Sequence, residues 1–392
     1  YHFAAFDGMI RVWGIFRKIS RRGQELERKY MIKIAVDAMG GDNAPGEIVK
    51  GAVDAVTERN DITVCLTGQK DVIVKGAVDA VAERNDIRVC LTGQKDVIEK
   101  ELSKYTYKKD QIEIVDAPEV IETGEPPVNA IRKKKNSSLV VGLNLVKSGE
   151  ADGFVSAGSS GAVLVGGQVI VGRVKGVERP PLAPLIPTEK GVSLLIDCGA
   201  NVDARPSHLV QFAQMGSLYM KYVMGIENPR VAIVNIGLEE EKGNALVKET
   251  FPLLKECKNI NFIGSIEARE IPHGGADVIV CEAFVGNVIL KLYEGVGATM
   301  MTMVKKGLMS NLRSKIGALL IKPALKSTLK SFDASQYGGA PLLGLKGLVV
   351  KTHGSSKSTE VCNSIIQCVT FKEQKINEKI KECLDSQAQE IQ

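Results

Sequence analysis

The chain has 392 residues, of which 44% are hydrophobic and 25% charged, and its formal net charge is +5. This length and apolar content suit one large α/β domain or two lobes and exclude a disordered chain. The mildly basic balance falls short of a dedicated nucleic-acid binder, so we expect no nucleic-acid partner. Eight cysteines without a CxxC pair favour reduced thiols in the cytoplasm. No uninterrupted apolar run of about 18 residues occurs, and we expect no membrane span.

Residues 1–30 hold a basic cluster and an apolar stretch that Asp7 and Arg11 interrupt. A secretory signal is therefore not expected there. The composition predicts a poorly ordered or spurious extension, with a surface helix as the alternative. Met31 opens "MIKIAVDAMGG", which predicts a first strand and a single α/β domain over residues 31–392.

A tandem duplication follows the first predicted strand. Residues 49–73 recur as residues 74–98 and differ only at Thr57/Ala82 and Thr63/Arg88. Each copy predicts a helix followed by a strand. Because two nearly identical strands compete for one position, we expect one copy to pair in the sheet and the other to lie at an edge or loop out.

Further short β-branched runs alternate with amphipathic segments along the chain. Several are apolar on both faces, as strands buried between two helix layers are. This order predicts a doubly wound, Rossmann-like three-layer α/β fold, whose ligands bind at the carboxyl ends of the strands. The predicted strands span residues 32–38, 111–117, 153–158, 192–199, 230–237, 260–266 and 276–284.

Three turns rich in glycine and serine are candidate anion sites, because free backbone N–H groups and hydroxyls at strand-to-helix junctions hold phosphate. None matches GxGxxG or GxxxxGK[ST], and a plain tight turn is the alternative reading of each. The first contributes Asp37, Gly40, Gly41, Asp42 and Asn43; the second Ser156, Gly158, Ser159, Ser160 and Gly161; the third His353, Ser355 and Ser356.

Two further strand ends carry polar side chains. "IDCGANVDARP" offers Asp197, Asn201 and Arg205, and "CEAFVGNVILK" offers Asn287 and Lys291. Each could instead be structural, and Asp197 could simply cap the helix after its strand. No pair of histidines stands at metal-ligand spacing, so we expect no metal and no cofactor.

Six motifs together resemble the bacterial phosphate acyltransferase family of phospholipid synthesis. They are "MIKIAVDAMGGD", "SAGSSGA", "IDCGANVD", "GLEEEKGN", "CEAFVGNVILK" and "QYGGAPLLG" with "VVKTHGSS". The resemblance runs from Met31 to about residue 385, excepting one copy of the repeat. It implies a homodimeric enzyme with a fold related to isopropylmalate dehydrogenase and phosphotransacetylase. This sequence has Asn43 where the family commonly has His, and Ser159 and Ser160 where it has Asn and Thr; both changes keep hydrogen-bonding capacity.

The implied reaction converts a long-chain acyl group on acyl carrier protein, with inorganic phosphate, into acyl phosphate and free carrier protein. A site for it must position a phosphate dianion beside a thioester and neutralise a developing oxyanion. Backbone N–H groups, serine hydroxyls, Asn287 and Lys291 are candidates for that work, and His353 is the candidate proton donor to the leaving thiolate. No cysteine nucleophile is required.

Residues 296–330 contain seven Lys or Arg and no Asp or Glu, interleaved with Met, Leu and Ile. This predicts two amphipathic helices, the second interrupted by Pro323, that could lie on anionic lipid or bind an acidic carrier protein. A hairpin that packs its apolar side in a dimer or the core is the alternative. The enzyme would then be cytoplasmic or peripheral at the inner face of the membrane, beside a downstream membrane acyltransferase. The rival functions are a phosphotransacetylase or dehydrogenase relative of the same fold and a non-catalytic, membrane-associated protein that binds acyl carrier protein.

Overall fold

The computed structural model describes residues 32–44, 46–58, 62–67, 89–92, 112–115, 117–331 and 334–390. The predicted extension at residues 1–30 lies outside them. The strands form two sheets, and all seven strands predicted outside the repeat are present. Their bounds are β1 (Ile32–Asp37), β2 (Ile62–Thr67), β3 (Val89–Thr92), β4 (Ile112–Val115), β5 (Gly153–Ser156), β6 (Leu185–Thr188), β7 (Gly191–Ile196), β8 (Arg230–Val234), β9 (Asn261–Ile266), β10 (Val278–Val280), β11 (Ala340–Leu342) and β12 (Leu348–Lys351).

Ten α-helices connect or flank these strands within the described residues. A π-helical turn, Gly167–Val171, continues the fourth of them. Their bounds are α1 (Gly46–Glu58), α2 (Pro127–Lys133), α3 (Ser138–Ser148), α4 (Ser160–Gly166), α5 (Pro206–Tyr222), α6 (Ala245–Glu256), α7 (Ala283–Leu308), α8 (Leu312–Ser331), α9 (Ser358–Glu373) and α10 (Ile376–Glu390).

The first sheet has the order β11-β12-β5-β1-β2-β3-β4 and is parallel except where β11 meets β12. The second has the order β6-β7-β10-β8-β9 and is parallel except where β6 meets β7. Helices α1 and α9 cover one face of the first sheet, and α3 covers the other. The predicted α/β class with helices on both faces of a parallel sheet is confirmed, although the strands divide into two sheets.

The central strands are apolar on both faces because both faces are covered. Ile34, Ala35 and Val36 are all fully buried in consecutive positions of β1. Ile34 and Val36 belong to a core that also contains Phe212 of α5, whereas Ala35 faces the core under α3. One continuous core therefore joins the first sheet to the helices of the second.

The expectation for the duplicated segment is wrong. The strands of both copies pair in the first sheet, with Cys65 opposite Cys90, and the second copy's strand lies between β2 and β4 rather than at an edge. The two strands do not compete, because a parallel strand has two hydrogen-bonding edges and one copy can pair with the other. The predicted helix of the second copy lies outside the described residues.

Residues 296–330 form a helical hairpin as predicted, but Pro323 does not interrupt the second helix. Helix α8 continues through Pro323 to Ser331. Proline removes the hydrogen bond to the carbonyl four residues earlier, at Leu319. The helix is exposed there, so water can take the place of the missing donor. Among the described helices, none combines the length and apolarity that crossing a bilayer requires.

We predict that deleting residues 74–98 leaves a folded protein with a melting temperature within about 5 °C of the full chain. The four paired residues of β3, "VCLT", are identical to residues 64–67 of β2, so the remaining strand offers β4 the same partner. Calorimetry and circular dichroism measure the outcome. Loss of a cooperative transition would contradict it and would show that the second copy supplies contacts that the first cannot replace.

Candidate functional site

The three glycine- and serine-rich turns lie together at the carboxyl ends of β1, β5 and β12. In the parallel ladder, Ser156 is the register partner of both Asp37 and Lys351, so the last residues of three neighbouring strands form one row. The Asp42 N–H donates to the Gly354 carbonyl at 2.6 Å. The Asn43 side-chain amide donates to the carbonyls of Ser355 at 2.8 Å and Ser356 at 3.2 Å. The first and third turns are thus tied together directly.

Asp37 is the buried anchor of this edge. Its Oδ1 accepts from the Ser138 hydroxyl at 2.7 Å and the Met39 N–H at 3.2 Å, and its Oδ2 accepts from the Ser156 hydroxyl at 2.7 Å. Ser156 Oγ in turn accepts from the Gly158 N–H at 3.0 Å. Burial raises the pKa of Asp37, and the hydrogen bonds from the two serines oppose that rise. Asp37 therefore acts on the turns through hydrogen bonds, as a positioning residue.

Glycine is required where the first two turns touch. A Cβ built on Gly40 would lie 2.4 Å from the Gly158 nitrogen. Gly41 has φ +96°, and a Cβ there would lie 2.7 Å from the Gly354 oxygen and 2.8 Å from the Ala157 Cβ. The three turns approach so closely that only hydrogen atoms fit between their backbones. Glycine is required at position 161 for a separate reason: a Cβ there would lie 2.4 Å from the Pro127 ring at the start of α2.

Ser159 and Ser160 of the second turn differ in burial and in hydrogen bonding. Ser159 is buried and caps α4 by accepting a long hydrogen bond of 3.5 Å from the Ala162 N–H. Ser160 is exposed at the first position of that helix. The hydroxyl of Ser160 is thus open to solvent beside the helix N-terminus, whereas that of Ser159 is engaged.

His353 is exposed, and its ring is fixed by the neighbouring serine. The Ser355 N–H donates to His353 Nδ1 at 3.2 Å, and the Ser355 hydroxyl lies 2.7 Å from the same nitrogen. Because Nδ1 accepts, the proton of the neutral ring sits on Nε2, which is then available as a donor. Ser356 points inward instead, and its hydroxyl donates to the His353 carbonyl at 2.6 Å.

Asp197 and Asn201 form a separate cluster after β7. The Asp197 carboxylate accepts from the N–H groups of Leu182, Ala200 and Asn201 and from the Asn201 side-chain amide, at 2.8 to 3.1 Å. Burial raises its pKa, and these hydrogen bonds oppose the rise. Asp197 does not cap the following helix, because α5 begins at Pro206. The pair fixes its own loop, and its hydrogen bonds within the described part of the chain do not extend to the glycine turns.

Asn287 and Lys291 stand one turn apart on the exposed side of α7. Helix α7 packs on the Asp197 loop so tightly that a Cβ on Gly286 would lie 1.9 Å from the Asp197 oxygen. The Lys291 ammonium pairs with Glu294 at 2.7 Å. Its charge also helps to lower the pKa of Lys351, after the larger effect of burial, so Lys291 is within electrostatic reach of the end of β12.

Sequence reasoning missed Ser138, Lys351 and Thr352. Ser138 follows the N-cap of α3, where no glycine marks it. Lys351 ends β12, a strand whose apolar run of three residues is too short to stand out. A lysine directly before "THGSS" was the available signal, since a cation beside a candidate anion turn is informative.

Burial disfavours a nucleophilic role for Cys198 and Cys281. Burial raises the pKa of Cys198 and of Cys281 well above the usual thiol range. A nucleophilic cysteine needs a thiolate, which such burial disfavours. A cavity of about 690 Å³ lies elsewhere, lined by Arg173, Arg179, Arg205 and His208 among others; of the residues that the sequence offers as candidates, Arg205 lines it.

The chain matches the family model described as fatty acid synthesis protein over residues 32–75 and 71–379, so that each matched segment contains one copy of the repeat. It is 48% identical over 355 residues to a phosphate acyltransferase of Alkaliphilus oremlandii, covering 91% of this chain and 98% of that protein. It is 48% identical over 351 residues to a phosphate acyltransferase of Clostridium botulinum, covering 89% of this chain and 98% of that protein. A solved phosphotransacetylase from Streptococcus pyogenes is similar in fold, with a TM-score of 0.51, 16% identity and coverage of 90% of this chain and 99% of that chain.

We predict that Gly41→Ala lowers the free energy of unfolding by about 1 to 3 kcal/mol, because a side chain is strained at this φ and its Cβ meets two neighbouring turns. Gly46→Ala is the matched control, since nothing lies within 4 Å of a Cβ built at the first residue of α1. Urea titration compares the two variants with the unmodified chain. Equal stability of both variants would show that the turns do not pack as described.

Proposed function

The chain belongs to the phosphate acyltransferase family, the family that the fatty acid synthesis protein model describes, and on this premise we propose that it transfers a long-chain acyl group from acyl carrier protein to inorganic phosphate. The products are acyl phosphate and free carrier protein, and the acyl phosphate would feed a downstream membrane acyltransferase. The observation that carries the proposal is the convergence of three glycine- and serine-rich turns at one sheet edge.

These turns suit inorganic phosphate. They bring backbone N–H groups, the α4 N-terminus and exposed hydroxyls together, and such groups bind anions without a dedicated base. Phosphate near neutral pH is already a nucleophile, so the site must chiefly position it against the thioester carbonyl. We assign phosphate contact to the turns around Gly41, Ser160 and Ser355, with Asp37 holding their arrangement.

The acyl transfer itself needs an oxyanion donor and a proton donor. We assign the first role to Asn287 and Lys291, which approach from the second sheet, since a cation or amide beside the carbonyl oxygen stabilises the developing charge. We assign the second to His353. The protonated ring donates its Nε2 proton to the departing pantetheine thiolate and is left neutral, and the proton that hydrogen phosphate loses on becoming acyl phosphate restores it. As the C–S bond breaks, the new C–O bond to phosphate forms and the thiolate leaves as the thiol.

A basic surface beside the second turn suits an acidic carrier protein. Helix α2 begins against Gly161 and ends in Arg132 and Lys133. Lys134 is committed to Glu125 at 2.6 Å, but Arg132, Lys133 and Lys135 are exposed. Docking there would deliver the thioester within about 10 Å of the glycine turns, because a seven-residue helix spans about that length.

The helical hairpin suits a homodimer with contact to the membrane surface. Only Ala283 and Gly286 of α7 are buried. Exposed apolar side chains recur every fourth residue at positions 284, 288, 292, 296 and 300, and a second copy of this chain would cover that stripe. The tip carries Lys305, Lys306 and exposed Met309, which suit an anionic lipid surface. Co-sedimentation with phosphatidylglycerol vesicles tests the lipid contact, and equal recovery with neutral vesicles would refute it.

We predict that the purified protein with palmitoyl carrier protein yields acyl phosphate, trapped as hydroxamate, only when phosphate is added. His353→Gln should lower the rate by about 10²- to 10⁴-fold because the thiolate then leaves without a proton. His273→Gln is the control, since His273 is an exposed histidine paired with Glu189.

Two outcomes would contradict this reaction. Carrier-protein binding without thioester consumption would identify a binding protein. Consumption that ignores phosphate would identify a different transfer or a redox reaction.

We predict that Leu292→Glu separates the dimer into monomers, because a charge in the centre of a buried apolar stripe is unpaired. Leu253→Glu places the same charge on an exposed leucine of α6 and should leave the mass unchanged. Light scattering after size exclusion measures both. A dimeric Leu292→Glu protein would exclude α7 as the interface.

A further inference from the structure

Lys351 places a buried cation directly beneath the glycine turns. It ends β12 in the same row as Ser156 and Asp37, and it is 8% exposed. Its Nζ lies 3.4 Å from the Ala157 carbonyl and also donates to the Thr352 carbonyl. The Ala157 oxygen borders the first turn as well, 3.3 Å from a Cβ built on Gly41. The ammonium is thus separated from that turn by one carbonyl.

This cation has no direct counterion within the described residues. Its partners are two neutral carbonyls, which account for two of its three N–H donors. Thr352 beside it is 1% exposed, and its hydroxyl has no hydrogen-bond partner in the described part of the chain. A buried charge without a counterion and a buried hydroxyl without a partner are both costly, and a chain keeps them where a ligand completes them.

The charged groups around Lys351 come from every element that approaches it. Glu360 on α9, Asp37 on β1 and Asp42 in the first turn favour its protonation, whereas Lys291 on α7 opposes it. Burial outweighs these charges and lowers the pKa of Lys351 to about 8. An anion bound at this position would supply the missing counterion and restore protonation.

We propose that Lys351 and Thr352 form the floor of the phosphate site, the ammonium donating its third N–H and the threonine hydroxyl donating its proton to oxygens of inorganic phosphate. This inference rests on the proposed function and adds to it a charged contact that the glycine turns lack. It also couples phosphate binding to protonation of Lys351, so that phosphate binds more weakly as pH rises from about 8 to about 9.5, a range in which phosphate itself is already largely a dianion.

Lys351→Met tests the assignment, because it keeps most of the unbranched side chain and removes the charged ammonium. We expect the KM for phosphate to rise about 10- to 100-fold, as the loss of one charged hydrogen bond implies, with the KM for the carrier substrate unchanged. The rise of KM with pH should vanish in this variant. Lys346→Met is the control, since Lys346 is an exposed lysine in the loop that precedes β12.

A purely structural role for Lys351 predicts something different. Pinning the Ala157 and Thr352 carbonyls would change the melting temperature but leave the KM for phosphate and its pH profile as they are, and that result would overturn the proposal. Thr352→Val keeps the test open if Lys351→Met does not fold. It should raise the KM for phosphate several-fold, and an unchanged KM would contradict the proposed contact between Thr352 and phosphate.

Calorimetric titration of inorganic phosphate into the unmodified protein separates this inference from the proposed reaction. At pH 8, in buffers of different ionisation enthalpy, binding should take up protons, and Lys351→Met should abolish the uptake. Proton-coupled binding without acyl phosphate formation would refute the reaction and keep the Lys351 site. Acyl phosphate formation together with phosphate binding that takes up no proton would refute the Lys351 site and keep the reaction.

Discussion

The hydrogen bonds to the buried Asp37 carboxylate are the constraint on which the candidate site depends. They join the end of β1 to β5 through Ser156, to α3 through Ser138, and to its own turn through the Met39 N–H. A buried carboxylate that loses one of these donors pays about 1 to 3 kcal/mol, so each partner is held in place by the others. Through Ser156 the same network reaches the Gly158 N–H, and the backbone of the second turn is set by a residue of the first.

Close packing then converts this local arrangement into a shared surface. Because Gly40 and Gly41 have no Cβ, the backbones of the three turns can pack in direct contact. The Asn43 side chain ties the first turn to the third. Residues more than 300 positions apart in the chain thereby form one edge. Such an edge is rigid because its parts are stretches of backbone at the ends of buried strands, and rigid N–H groups are what anion recognition requires.

Much of the fold and part of the candidate site could be predicted from the sequence. Seven strands outside the repeat were predictable because burial leaves continuous apolar runs, whereas the short strands β6, β11 and β12 were not predicted. The glycine turns were predictable because close backbone contact demands glycine. The start of α7 was mispredicted, since "ADVIVCEAF" predicts one long strand, whereas β10 ends at Val280 and Glu282 caps the helix that follows. Lys351 was missed because burial of a cation follows from the neighbours of its strand, and those neighbours are far away in sequence. The duplicated strand was mispredicted because edge pairing is decided by the whole sheet.

The position of the duplication relative to the site has a consequence for how such chains can change. The added strand lies on one flank of β1, between β2 and β4, while β5 and β12, which end in glycine turns as β1 does, lie on the other flank. The sheet has therefore gained a strand on the side of β1 that is remote from β5 and β12. A duplication of this kind can persist in a gene because the duplicated strand and the glycine turns lie on different parts of the sheet.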